Sequence, residues 1–293
     1  MQLGERATAF DAIEFDAELR WIDVLDDIAF LAMDLLAHGR RDFAFRLLDA
    51  YLEATGDYDG VPALRFFLVS RALVRAQVSA LAEEQGIATT TGGAAADYLK
   101  LASALANGAA ARLAITHGLP GSGQSFTSQH LLETAGALRV RSDVERKRLF
   151  GLDPLQPSRE RVPGGIYDAA ATEKTYARLF AVAHLSLGAG WPTIVDAAFL
   201  RRCERARFAA LAAAVAVPFS IVDCRAPLSL LRERIAHRLV GAGDASEADL
   251  AVLERLALAA EALEEGEQAA AIDVEAEHPE PADVLARRWL TVA

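Results

Sequence analysis

LAITHGLPGSGQS, residues 113–125, reads as a short apolar strand that runs into a glycine-rich turn and then into a helix. Within it, Gly-Leu-Pro-Gly-Ser-Gly-Gln-Ser at 118–125 matches the phosphate-loop spacing GxxxxGK[ST] at every fixed position except the lysine, which is Gln124. The spacing has a physical purpose. Glycines let successive backbone N–H groups turn inward around phosphate oxygens, and the helix N-terminus adds a favourable partial charge. Gly118, Pro120, Gly121, Ser122, Gly123, Gln124 and Ser125 are therefore the expected nucleotide-binding residues, with the Ser125 hydroxyl placed to ligate Mg²⁺. The bland alternative is a glycine-rich strand-to-helix turn with no ligand. Glutamine can donate a hydrogen bond but brings no positive charge to the β- and γ-phosphates, so transfer suffers more than binding.

Working outward, apolar runs at 113–117, 138–141, 193–196, 219–223 and 271–274 predict strands. The stretches 125–135, 143–150, 168–188, 201–215, 227–240, 248–264 and 282–290 predict helices. Such alternation predicts an α/β fold, a parallel sheet between two helical layers. Upstream, Trp21, Val24, Leu25, Ile28, Leu31, Ala32 and Leu35 recur at three- and four-residue spacing, so 17–55 reads as helices, stopped by Gly39 and Gly56. Another helix is expected over 62–82 and a short one over 97–106. The small-residue stretch TTTGGAAA lies between them. The division is therefore an all-α segment at 1–84, a linker and short helix at 85–110, and the nucleotide-binding domain at 111–293.

Three further places carry chemistry. Asp143 and Arg146, three apart at a helix start, face the same way. A carboxylate there can accept the proton of an attacking hydroxyl, and an arginine can hold a phosphate or that carboxylate. An N-cap aspartate with a surface arginine is the plainer alternative. Asp196 ends the run Thr193-Ile194-Val195, the place for an acid beside Mg²⁺. Arg234 and Arg238 share a face late in one helix, before the loop at 241–246, and Arg238 is the expected lid residue. The arginines at 201, 202, 205 and 207 are expected to decorate a helix surface, and His117, Cys203 and Cys224 to be structural.

A net charge of -11 over 293 residues argues against a nucleic-acid surface, which needs a basic face. Two cysteines without a CxxC pair suit a reducing cytoplasm. The most apolar stretch, 208–222, is too short to span a bilayer and contains Pro218.

Residues 111–293 resemble the bacterial predicted-kinase branch of P-loop proteins, similar to gluconate kinase, zeta-toxin and the kinase domain of phage-type polynucleotide kinase. The resemblance rests on GLPGSGQS, RSDVERKRLFG, GGIYDAAATEKTYARL, TIVDAAFLRR, DCRAPLSLLRERIAHR and DASEADLAVLE. It implies a P-loop NTPase three-layer fold, with Asp143 as acceptor base, Arg146 as its phosphate-side partner, Asp196 at the Walker B place and Arg238 in the lid. Gln124, Phe126 and Ala198 depart from that pattern. FDAIEFDAELRWIDVLDDIAFLAMDL, residues 10–35, resembles the C-terminal part of an aminoglycoside-phosphotransferase-like domain, in which Asp11 matches an Mg²⁺-binding acid. That domain's nucleotide-binding lobe and catalytic loop are absent, so no catalysis is assigned to 1–84. Its helices should leave an apolar face that packs on the P-loop domain, packs on a second copy, or stays exposed as a patch. The expectation is a phosphotransferase that uses ATP and Mg²⁺ on a small hydroxyl-bearing substrate. The alternative is a nucleotide-binding pseudokinase with a regulatory or structural role.

Overall fold

The computed structural model describes residues 2–3, 6–7, 21–86, 93–108, 110–158, 166–240, 245–278 and 280–292. Asp11 lies outside them. After a short antiparallel pairing of Gln2–Leu3 with Arg6–Ala7, four helices follow: α1 (Val24–Ala37), α2 (Arg41–Thr55), α3 (Val61–Glu84) and α4 (Ala95–Asn107). Gly39 and Gly56, the two expected stops, take left-handed φ angles of 70° and 74°, which an L side chain resists.

Five strands then build one parallel sheet: β1 (Leu113–His117), β2 (Leu138–Arg141), β3 (Thr193–Asp196), β4 (Phe219–Arg225) and β5 (Ala271–Glu275). Their order is β2-β3-β1-β4-β5. The inner strands β1, β3 and β4 are buried almost throughout, which explains their unbroken apolar runs. Crossovers run through α5 (Gln124–Ala135), α6 (Ser142–Leu149), α7 (Ala169–Gly188), α8 (Arg202–Ala214), α9 (Leu228–Val240), α10 (Leu250–Ala259) and α11 (Glu265–Gln268), and α12 (Ala282–Thr291) closes the fold. This is the α/β P-loop NTPase architecture. The strand order switches at β1, whose neighbours are β3 and β4, and such a switch opens a crevice at the carboxyl ends of the strands. Register places Arg141 beside Asp196, and His117 beside Asp223, at those ends.

The N-terminal helices are fused to this sheet rather than hung from it. Leu25, Met33, Leu48, Leu64 and Leu68 belong to the same apolar core as Leu113, Leu131, Val195 and Trp289. α2 packs on α5 and β2. Arg46 grips Glu133 of α5 with two bonds of 2.7 and 2.9 Å, and the Tyr58 hydroxyl donates to the Arg139 carbonyl of β2. The apolar face expected to need cover is thus packed on the P-loop domain. The outer side still exposes Val24, Leu31, Phe66, Leu73 and Val78.

Two expectations need correction. Arg205 is not a surface residue: it is 1% exposed, whereas Arg201 and Arg202 are exposed. The helix expected over 248–264 stops at Ala259, because the Glu261 N–H donates to the Leu200 carbonyl and Arg205 binds the Glu261 and Ala262 carbonyls. Tertiary hydrogen bonds pull that strongly helix-forming stretch straight.

Candidate nucleotide site

The phosphate loop leaves β1 at Gly118, where φ is 147°. A Cβ there would sit 2.5 Å from the Cys224 carbonyl oxygen and 2.7 Å from Ser122 Oγ, so only glycine fits. Gly121 and Gly123 also have positive φ, and Gly123 caps α5, whose first residue is Gln124. The N-terminal N–H groups of α5 thus face the crevice. The Gln124 amide turns to the end of β3 and donates to the Ala197 carbonyl at 3.0 Å. Thr116 Oγ1 donates to the same oxygen at 2.7 Å.

A cavity of about 1100 Å³ takes in Pro120–Ser125, Asp143, Arg146, Asp196 and Arg234. Gly118 instead lines a smaller cavity of about 370 Å³ behind the loop, together with His117 and Asp223. Asp143 and Arg146 reach the larger cavity from the first turns of α6. Arg146 is 7% exposed; its Nη1 donates to the Ile166 carbonyl at 3.1 Å and Thr172 Oγ1 at 3.3 Å, and its guanidinium stacks 5.0 Å from the Tyr167 ring centroid. Arg234 of α9 donates to the Gly121 carbonyl at 3.1 Å and to the Ala276 carbonyl at 3.3 Å, laying α9 against the loop. The backbone of α9 runs through Arg238, whose side chain lies outside the described residues.

The corner beside Ser125 is the most highly charged part of the site, and the sequence reading missed how it is built. Asp196 accepts a 3.0 Å hydrogen bond from Ser128 Oγ, which itself accepts one from Arg139 at 3.0 Å. Arg139, 3% exposed, forks onto Asp49 of α2 at 3.1 and 2.6 Å and reaches Glu53 at 3.3 Å. Arg141, one pleat on, lies 3.4 Å from Ser125 Oγ, 3.6 Å from Asp196 and 3.5 Å from Glu53. Burial pushes the carboxyls of Asp49 and Glu53 up from their ordinary values, against the pull of the arginines. Burial disfavours the Arg139 charge, but Asp49, Asp196 and Glu53 hold it in place. The available signal was the strand Leu-Arg-Val-Arg, whose arginines at alternate positions share one face of an otherwise buried strand.

Ser125 and Asp196 both line the cavity, and hydroxyl and carboxylate oxygens are of the kind Mg²⁺ takes alongside phosphate oxygens and water. Both lie against the Arg141 guanidinium, which offsets the Asp196 charge. Among the described residues no group of three or more His, Cys, Asp or Glu stands ready to hold a metal by itself. No described helix is long and apolar enough to cross a membrane.

The family described as AAA domain matches residues 113–263. Uncharacterized proteins of Mycobacterium tuberculosis (strain ATCC 25618 / H37Rv) and Mycobacterium bovis (strain ATCC BAA-935 / AF2122/97) are 34% identical over 250 residues, which is 83% of this chain and 48% of theirs. The chain therefore spans about half the length of the curated relatives it matches. Among solved structures it is similar to an unliganded sugar kinase from Janibacter sp. HTCC2649, at 19% identity and a TM-score of 0.46 over 62% of this chain and 96% of that one. It is also similar to a gluconokinase from Sinorhizobium meliloti 1021, at 17% identity and a TM-score of 0.42 over 62% and 91%.

Proposed function

Because the chain belongs to the AAA domain family, we propose that it binds ATP at residues 118–125 and transfers the terminal phosphoryl group to a small hydroxyl-bearing acceptor. The observation that carries this reading is the single cavity joining the phosphate loop to Asp143 and Arg146. At about 1100 Å³ it exceeds what one drug-sized ligand needs, so a nucleotide and an acceptor fit together. In this reading Asp143 takes the proton of the attacking hydroxyl, Arg146 holds the acceptor or the transferred group, and Arg238 closes the lid. Ser125 and Asp196 would hold Mg²⁺, which when bound neutralises charge on the β- and γ-phosphates. Residues 1–84, with their resemblance to the end of an aminoglycoside-phosphotransferase-like domain, serve as scaffold, since none of their described residues lines the cavity. Two unpaired cysteines fit a cytoplasmic setting.

One observation favours a second reading, a pseudokinase that binds nucleotide and transfers little. Position 124 carries an amide bound to the Ala197 carbonyl where a lysine would reach the phosphates. Gln124→Lys separates the two. If only that charge is missing, turnover rises about a hundredfold, or about 2.7 kcal/mol of transition-state stabilisation, and Asp143→Ala in the same background removes the gain. A Gln124→Lys protein that binds ATP yet turns over nothing, across a panel of sugar, polyol and amino-alcohol acceptors, establishes the pseudokinase. Absence of ATP binding in both forms refutes both readings.

A further inference from the structure

We propose that Phe126, in the first turn of α5, is a stacking platform for the base of the bound nucleotide, steadied by His130 one turn on. The inference rests on the nucleotide reading above and concerns the end of the ligand that the phosphate loop does not hold. Successive residues turn about 100° around a helix axis, so neighbours in the first turn of α5 point in different directions. Thr127 and Ser128 are buried, and Ser128 turns to the sheet, where it donates to Asp196. Phe126 is 64% exposed, yet it lines the nucleotide cavity. A lone open ring means little on a convex surface. This one forms a cavity wall directly after the loop. His130 backs it: the ring centroids lie 4.2 Å apart, and the His130 Nδ1–H donates to the Phe126 carbonyl at 2.9 Å. The platform is therefore braced before any ligand arrives, which lowers the ordering cost of binding.

The other walls of the cavity decide which group lies on that ring. Asp143 and Arg146 reach it from α6, which follows β2 at one edge of the sheet. A nucleotide whose terminal phosphate faces them runs its sugar and base the other way, toward β5 at the opposite edge. On that side the walls are apolar: Val274 of β5, Ala276 just after it, and Leu285 of α12, the helix that packs on α5. A planar base has a π-face for an aromatic ring to meet, and stacking of this kind is tolerant of which base it is.

The test is calorimetric titration of ATP, GTP and inorganic tripolyphosphate, each with Mg²⁺, into the whole protein and two variants. Phe126→Ala should weaken ATP and GTP about tenfold or more, the equivalent of about 1.4 kcal/mol, while tripolyphosphate stays within about twofold. Phe126→Trp should keep the nucleotide affinity, and the fluorescence it adds should be quenched by ATP and not by tripolyphosphate. The inference is overturned if Phe126→Ala binds ATP as the unaltered protein does, or loses ATP and tripolyphosphate to the same degree. It is overturned equally if the introduced indole stays unquenched at saturating ATP. Should Phe126→Ala fail to fold, or tripolyphosphate bind too weakly to titrate, that quenching decides. If the unaltered protein binds neither ATP nor tripolyphosphate, the nucleotide reading itself fails and takes this one with it. If it binds ATP and only these variants behave otherwise, the failure belongs to the platform alone.

Discussion

Arg205 sits on α8 with its guanidinium facing five oxygens: both carboxylate oxygens of Glu267 at 2.7 and 2.8 Å, and the carbonyls of Phe199, Glu261 and Ala262 at 3.1 to 3.2 Å. Removing it leaves a carboxylate and three carbonyls without their donor. Arg205→Ala should therefore cost about 3–5 kcal/mol, read as a fall in the urea midpoint. Arg205→Lys should recover little of it, since one ammonium cannot reproduce the fork. Nothing in RRCERARF marks the third arginine as different, because four of its five oxygens belong to residues 56 to 62 downstream. The phosphate loop was legible for the opposite reason. Its constraint is local: Gly118 admits no side chain, and that requirement is written into the loop's own spacing. Gln124 was legible as a departure, but the carbonyl it would choose was not.

At the scale of elements, α2 is the one whose role its own sequence concealed. Its periodicity predicts a helix, and a helix it is, but nothing local singles out Asp49 and Glu53, which meet a β2 arginine about 90 residues away. A buried ion pair contributes little net stability while intact and costs much when half of it is removed. Asp49→Ala should then destabilise by about 3–5 kcal/mol, whereas the paired change Asp49→Leu with Arg139→Met should cost clearly less. Equal losses in the single and double variants, measured by chemical denaturation, would show that Arg139 draws its support from Ser128 and Gln129 instead. The strands and their order follow a different logic. Alternating apolar runs and helices restrict the sheet to parallel topologies, so the architecture was legible although the end of α10 was not.

For the molecule as a whole, acidity separates two kinds of carboxyl. Burial would raise Asp223, but hydrogen bonds from His117 and Arg225 outweigh it and hold the group below its ordinary value. Arg205 does the same for Glu267. Lowered groups contribute stability that is present above their ordinary values of about 4 and is lost as pH falls through the folded ones. Asp49 and Glu53, raised by burial, run the other way: their penalty is full above the folded values and disappears below about 4. Stability should therefore hold or rise slightly from pH 7 to pH 5 and drop by pH 3. Urea midpoints at those three values check the order. A steady decline from 7 to 5 would mean that the α2 carboxylates stabilise the fold in their charged form.

The register of β1 has one more consequence, and it concerns synthesis. Leu113 pairs with Thr193 on one side and with Phe219 on the other, so the central strand leaves the ribosome long before either neighbour exists. Phe219 follows about a hundred residues later, on the order of 5–20 s at ordinary elongation rates. Until Thr193 is made, an apolar strand carries two bare edges, and the turn that follows it has neither the Ala198 carbonyl that receives the Gly118 N–H nor the Ala197 carbonyl that receives Gln124. The four described helices made earlier share its core and can cover it first.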